Sequence, residues 1–279
     1  MNLPLRYHCL TVLFAAATAF PAAAAIERSL DKSFGVAPGS LVKVDTSGAS
    51  IRTSVGPAGT ARVVLQEKFR TDDAAEADKL LERYEIVCTQ EGDEVRLVVK
   101  EKKGLGLRWG ERNQVQFHPE IVLPADVRLD LDTSGGSITI GGEMKASVRA
   151  DTSGGSITAD GGDDLNLDTS GGSIHVRRAL GRLRADTSGG GISVDYVGRD
   201  ATDVTLDTSG GSITAGVDPD AKLSIVGDTS GGRVHVDGLA GFVAEKKEHD
   251  HVSGRLNGGG GQLRADTSGG SIRIVAAAK

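Results

Sequence analysis

The chain has 279 residues, a formal net charge of −6, 4% aromatic residues and 39 glycines. The acidic balance gives no footing for nucleic acid or for an anionic membrane surface. Few aromatics disfavour an aromatic-lined substrate pocket, and the glycine content suits short strands joined by tight turns.

Residues 1–25 read as a secretory signal. Arg6 gives a modestly positive start, Leu10 to Phe20 is apolar, and Ala22-Ala23-Ala24-Ala25 satisfies the small-x-small cleavage rule. Cleavage is expected after Ala24 or Ala25, and the apolar run is too short to favour a transmembrane helix. Cys9 lies inside this segment, which leaves Cys88 as the only cysteine of the mature chain. A single thiol makes no internal disulfide, and the strand-like run around Cys88 suits a buried, inert one.

Residues 26–127 form a less regular N-terminal cap that already holds one copy of the repeat, in Ser40 to Thr53. Arg62 to Glu67 alternates as a strand. Thr71-Asp72-Asp73 then caps a helix over roughly Ala74 to Tyr84, with Ala77, Leu80, Leu81 and Tyr84 on its apolar face. Strand patterns follow at Glu85–Thr89, Val95–Lys100 and Val115–Leu123, the last broken by Pro124. Between them, Lys102 to Asn113 is a Gly-rich basic loop that carries Trp109, the only tryptophan and a candidate contact residue.

Residues 128–279 are dominated by repetition. Asp-Thr-Ser-Gly starts at Asp45, Asp132, Asp151, Asp168, Asp186, Asp207, Asp228 and Asp266. From Asp132 the steps are 19, 17, 18, 21, 21 and 38 residues, and the last step is read as hiding a decayed copy at Asp250, Gly254 and Leu256. Six places beyond each aspartate stands an apolar residue, such as Ile138, Ile157 or Ile174; eight beyond, another, such as Ile140 or Val176. Three places before stand Leu129, Val148 and their equivalents. Within a strand, residues two apart share a face, so these positions point inward and the residue seven places on points outward. That outward place holds Thr139, Thr158, His175, Ser193, Thr214, His235 and Arg273. Thr158 and Thr214 are candidate contact residues there.

Each repeat is thus a short strand, a Gly-Gly corner, a second short strand and a variable loop. A fixed short period is the signature of a solenoid, in which no rung buries its apolar face alone. The expected fold is all-β: a single-stranded parallel β-solenoid, right-handed by the usual crossover rule, with rungs of about 16–22 residues and one helix near the N-terminus. The stacked aspartates repel one another. Three devices are expected to offset this: capping of the corner N–H groups by each Asp side chain, the preferred one; pairing with Lys43, Arg149, Arg184 and Arg264 two residues earlier; or a cation such as Ca²⁺.

On these residues the chain resembles the putative-adhesin family of β-strand-repeat proteins, also catalogued as a domain of unknown function. The likeness rests on Ile121–Pro124 and on the repeated Asp-Thr-Ser-Gly-Gly-Ser-Ile segments, and covers most of Phe34 to Ile274. It implies a bacterial envelope protein with a β-solenoid head and supplies no catalytic residues.

No catalytic constellation is expected, because the acids recur once per rung, as structure uses them. His249 and His251, two apart in a charged interruption of the stack, are the metal candidates, with a solvated loop as the plainer account. No cofactor is expected. The sequence points to an exported, non-enzymatic binding or scaffold module acting on an envelope glycan or protein, in the periplasm, at the cell surface or secreted. A signalling accessory acting through a protein partner and a β-helix carbohydrate-active enzyme are the alternatives.

Overall fold

The computed structural model describes residues 25–102, 114–196, 198 and 202–277. Trp109 and residues 1–24 of the expected signal lie outside the described residues. The cap contains β1 (Glu27–Gly35), β2 (Leu41–Thr46), β3 (Ile51–Val55), β4 (Thr60–Phe69), α1 (Ala74–Leu81), β5 (Tyr84–Glu91), β6 (Glu94–Glu101) and β7 (Val115–Leu123). The first repeats supply β8 (Arg128–Thr133), β9 (Ile138–Gly141), β10 (Val148–Thr152), β11 (Ile157–Ala159), β12 (Gly162–Thr169), β13 (Ile174–Thr187) and β14 (Ile192–Tyr196). Then come β15 (Val204–Thr208), β16 (Ile213–Val217), β17 (Leu223–Thr229), β18 (Val234–Asp237), β19 (Phe242–Lys247), β20 (His251–Leu256), β21 (Gly261–Thr267) and β22 (Ile272–Ala276).

Among the described residues the protein is all-β with one short helix, and 22 strands form one sheet of mixed orientation. Two parallel ladders run through the repeats. One joins β6, β2, β8, β10, β12, β13, β15, β21 and β17 in that order. The other joins β7, β3, β9, β11, β13, β14, β16, β22 and β18. Antiparallel strands continue three of their four ends: β5 pairs with β6; β4 with β7 and β1 with β4; β20 with β17 and β19 with β20. The purely parallel arrangement expected from the repeats therefore holds along the two ladders, including the cap strands β6 and β7, and not for the strands beyond them. A bare ladder end is an open template for further strands, and these antiparallel strands occupy those three.

The register expected from the sequence is the one observed. Ile138, Ile157 and Ile174 pair in one inward column, and Thr139, Thr158 and His175 in the outward column beside it. The inward residues form a continuous core in which Ile138, Ile157, Ile174, Leu131 and Leu167 are fully buried.

The spatial order of the copies differs from their order in the chain. The final copy, at Asp266, lies between those at Asp207 and Asp228. The supposed copy at Asp250 is not a rung. Its strand β20 runs antiparallel to β17, with Leu256 opposite Leu223, and forms a hairpin with β19 that covers the end of the first ladder.

The column one residue before each aspartate is consistent with this order. In space it reads Val44, Leu131, Ala150, Leu167, Ala185, Leu206, Ala265, Gly227, all buried, and from Leu131 to Ala265 large and small side chains alternate. Alternating bulk lets stacked layers interdigitate without voids. After Leu206 the next place holds the small Ala265, with the small Gly227 beyond it.

The corners are tighter than a turn requirement alone would make them. A Cβ added to Gly172 would lie 1.9 Å from the Gly155 carbonyl oxygen, and one on Gly155 would lie 2.0 Å from that of Gly136. These glycines do not have positive φ; close backbone approach is what demands them. The first copy has Ala49 at this place, and there the Gly136 corner lies on one side and an open cleft on the other.

In the cap, Asp73 accepts a hydrogen bond from the Ala75 N–H at 2.8 Å and starts α1 as expected. The helix stops at Leu81, short of the expected Tyr84, because Tyr84 opens β5, pairs with Glu101 and packs edge-on against Phe117 at 4.8 Å. Strand β1 was not anticipated. Its only periodic signal is Leu30 and Phe34, both partly buried against the core.

Replacing Ile174 by Ala is expected to cost about 2–5 kcal/mol, and replacing outward Thr158 by Ala close to nothing; denaturant unfolding of the two variants checks the register. Gly172→Ala should lower the thermal midpoint clearly, by an overpacking cost of about 1–3 kcal/mol or more, whereas Ala49→Gly should shift it little.

Candidate functional site

The first ladder presents three outward columns. The central one contains all eight motif aspartates, paired in the order Asp45, Asp132, Asp151, Asp168, Asp186, Asp207, Asp266, Asp228. Two residues further along stands a serine in every copy, from Ser47 to Ser268, each exposed. Two residues before stand, in spatial order, Lys43, Asp130, Arg149, Asn166, Arg184, Thr205, Arg264 and Val226.

That third column alternates as the core does. Every copy with Ala before its aspartate carries Arg before the Ala; every copy with Leu there lacks a cation. Arg184 donates to Asp186 at 3.0 Å and Arg264 to Asp266 at 2.9 Å, while Arg149 lies 3.5 Å from Asp151. Lys43 departs from expectation: it donates to Asp130 at 2.6 Å, and Asp45 is paired with Lys100 instead. Asp132 and Asp168 therefore face carboxylates on both sides. Burial first, then Asp45 and Asp151, pushes the Asp132 carboxyl above its usual range. Burial, then Asp151 and Asp186, does the same to Asp168. Asp266 is also raised by burial, with Arg264 opposing.

The corner caps expected of the aspartates belong to the next residue. Thr169 Oγ1 donates to the Gly155 carbonyl of the neighbouring rung at 2.8 Å and accepts from the Gly172 N–H at 3.3 Å. The same pair of bonds recurs at Thr152, Thr187, Thr208, Thr267 and Thr229, and Thr133 donates to the Ala49 carbonyl. These threonines are buried, Thr169 to 1% exposure. Their inward position follows from the period of two, since they stand two places after the inward Leu or Ala. With the hydroxyls doing the capping, the carboxylates stay outward.

The serines just before the inward isoleucines add a second tie. Ser137 Oγ accepts from the Ser156 N–H at 3.2 Å, Ser156 Oγ from Ser173, and Ser212 Oγ from Ser271. These hydroxyls help hold neighbouring rungs together.

At the C-terminal end the face deepens into a mainly acidic cleft of about 450 Å³ whose lining includes Asp207, Asp228, Asp266, Glu248, Asp250 and His251, with Lys246 paired to Glu248. The turn before β20 closes one side. The Asp250 carbonyl accepts the Thr229 N–H at 2.9 Å, and the His249 carbonyl accepts the Val234 N–H at 3.0 Å. The two candidate metal ligands are committed to different neighbours: His251 Nδ1 lies 2.6 Å from Asp228 Oδ1, and His249 Nε2 lies 3.0 Å from an Arg233 nitrogen. Among the described residues no group of three or more His, Cys, Asp or Glu side chains is arranged to hold a metal ion.

Thr158 and Thr214 lie on the second ladder, away from the aspartate column and three rungs apart, through His175 and Ser193. His175 and His235 are four rungs apart, with Ser193, Thr214 and Arg273 between them. Cys88 is 4% exposed, and burial pushes its thiol up, with Lys32 opposing.

No family model matches the chain, and no curated protein does. Among solved structures, it is similar to a putative cell adhesion protein from Clostridium sporogenes, with 12% identity and a TM-score of 0.40, over 89% of this chain and 100% of that one. A putative adhesin from Bacteroides fragilis matches with 12% identity and a TM-score of 0.43, over 89% and 97%. A putative lipid binding protein from Parabacteroides distasonis matches with 10% identity and a TM-score of 0.32, over 88% and 96%. Similarity at this level assigns no activity to the chain.

The raised carboxyls fix a sign. Asp132 and Asp168 have folded-state pKa values above their unfolded ones, so their contribution to stability is full at low pH and is lost as pH rises from the unfolded to the folded value. Asp132→Asn should therefore raise the thermal midpoint at pH 7. The gain should vanish when the pH falls below the ordinary carboxylate range, about 4.

Proposed function

We propose that the chain is an exported, non-catalytic binding or scaffold module of a cell envelope, its two ladders being the walls of a right-handed, single-stranded β-solenoid. The observation that carries this is the outward face itself. Eight copies of the same Asp-x-Ser pair stand in register, each carboxylate and each hydroxyl repeating along the stack. A site that performs chemistry gathers different groups around one reacting atom. This face repeats one group many times, which suits an extended, multivalent partner such as an envelope glycan or the surface of another protein. Export is supported by the apolar run Leu10 to Phe20 and the alanines that follow it. Among the described residues no helix is long and apolar enough to cross a membrane.

The test is co-sedimentation of residues 26–279 with isolated envelope fractions, with and without EDTA. Saturable binding to one fraction, reduced at least tenfold by Ser170→Arg on the aspartate–serine face and unchanged by Thr158→Arg on the other ladder, is the expected result. Loss of binding in EDTA would add a cation to the aspartate column. Absence of binding to every fraction would overturn direct envelope binding, and turnover of an envelope polysaccharide would replace the proposal with the enzymatic alternative.

A further inference from the structure

The chain enters its last rung from an unusual direction. Strand β20 lies on one side of β17 and β21 on the other, so Leu223 is opposite both Leu256 and Gly261. Residues 257–260 carry the chain across the end of β17. Asn257, Gly258 and Gly259 take φ of 50°, 87° and 83°, a left-handed stretch that glycine adopts without strain. Asn257 holds the crossing in place by donating to the carbonyls of Pro219 at 2.8 Å and Ala221 at 2.9 Å.

The pairing that follows is asymmetric. Strands β21 and β22 pair on one side with β15 and β16 of the stack, and on the other with β17 and β18. Strands β17 to β20 pair only with one another and with β21 and β22. Among the described residues, every strand ladder between β17–β20 and the rest of the stack passes through the C-terminal strand pair. The acidic cleft depends on the same pair, since it takes Asp207 from the stack, Asp266 from β21, and Asp228 and His251 from the far side.

We propose that β21–β22 is a latch. It seats the unit β17–β20 on the stack and assembles the acidic cleft, and when it opens, that unit comes away with it. The dependence runs one way: β17–β20 can loosen while the latch stays paired to β15 and β16. The latch also sets the order of assembly, because the seventh copy of the motif in the chain cannot dock until the eighth has inserted beneath it. This inference stands on the ladder topology and is independent of what the face binds.

Hydrogen exchange read by mass spectrometry on residues 26–279, which contain every described strand, tests it with two variants. Leu263→Ala lies in the latch, and Ile225→Ala lies opposite it in β17. Leu263→Ala should accelerate exchange at least tenfold in β21–β22 and in β17–β20 together. Ile225→Ala should accelerate β17–β20 and leave β21 and β22 protected. In both variants β8–β13 should keep their wild-type protection, which shows that the stack remains folded. Opening of β21–β22 without β17–β20 in the first variant would overturn the latch. So would equal opening of both units in the second, or loss of protection in β8–β13 alongside the others.

Discussion

Neighbouring corners approach so closely that a side chain on Gly172 would lie 1.9 Å from the Gly155 carbonyl, and the buried Thr169 hydroxyl donates to that same carbonyl at 2.8 Å. The rest of the structure hangs on this contact. The missing Cβ permits the close approach of the rungs, and the hydroxyl satisfies a buried carbonyl and a part-buried N–H. Because the pair recurs copy after copy, each rung is held in one register on its neighbour, and the isoleucine, leucine and alanine columns follow. A slip of one residue would turn the isoleucines outward and leave the corner groups unpaired.

In-register stacking has an electrostatic consequence. Identical residues stand about 4.8 Å apart, so every charge in the motif meets its own copies. In the six copies from Asp132 to Asp266 in space, the chain meets this with two kinds of repeat used alternately. One places Arg and Ala before the aspartate; the other places a polar or acidic residue and Leu. Each arginine lies beside its own aspartate, and burial and the neighbouring carboxylates shift the intervening Asp132 and Asp168 upward, against the weaker opposing pull of Lys100 and of Arg149 and Arg184. The same alternation packs the core, because the copy with the larger apolar residue is the copy without the arginine. A regular polar face and a regular apolar interior are thus two sides of one two-rung unit.

Much of this was legible in the sequence. The period of two told inward from outward at Ile157 and Thr158. The aspartates were expected to stack, and they do. What escaped attention was the pairing of Arg-Ala against x-Leu, present at Arg149-Ala150, Arg184-Ala185 and Arg264-Ala265, which carries the information that the copy at Asp266 belongs after the one at Asp207. The aspartate was credited with the cap because Asp commonly caps turns, yet the neighbouring Thr has the inward orientation that a buried cap requires. The apparent copy at Asp250 kept the Asp, Gly and apolar places but lacks the Thr-Ser-Gly-Gly corner, and without the corner it has nothing with which to stack.

The sequence by itself determined the rung: which residues face the core, where the corner falls, and that one rung must lie in register on another. These are local properties, fixed by alternation along a strand and by glycine at a close approach. Only the tertiary structure decided which rung neighbours which, and that the far end is held by the last strands of the chain. Eight nearly identical copies offer nearly identical edges, so pairing chemistry alone cannot choose among them. The choice falls to what differs between copies: the fit of Ala265 against Leu206, the crossing at Asn257–Gly259, and the hairpin β19–β20 that covers β17 and leaves its other edge for β21.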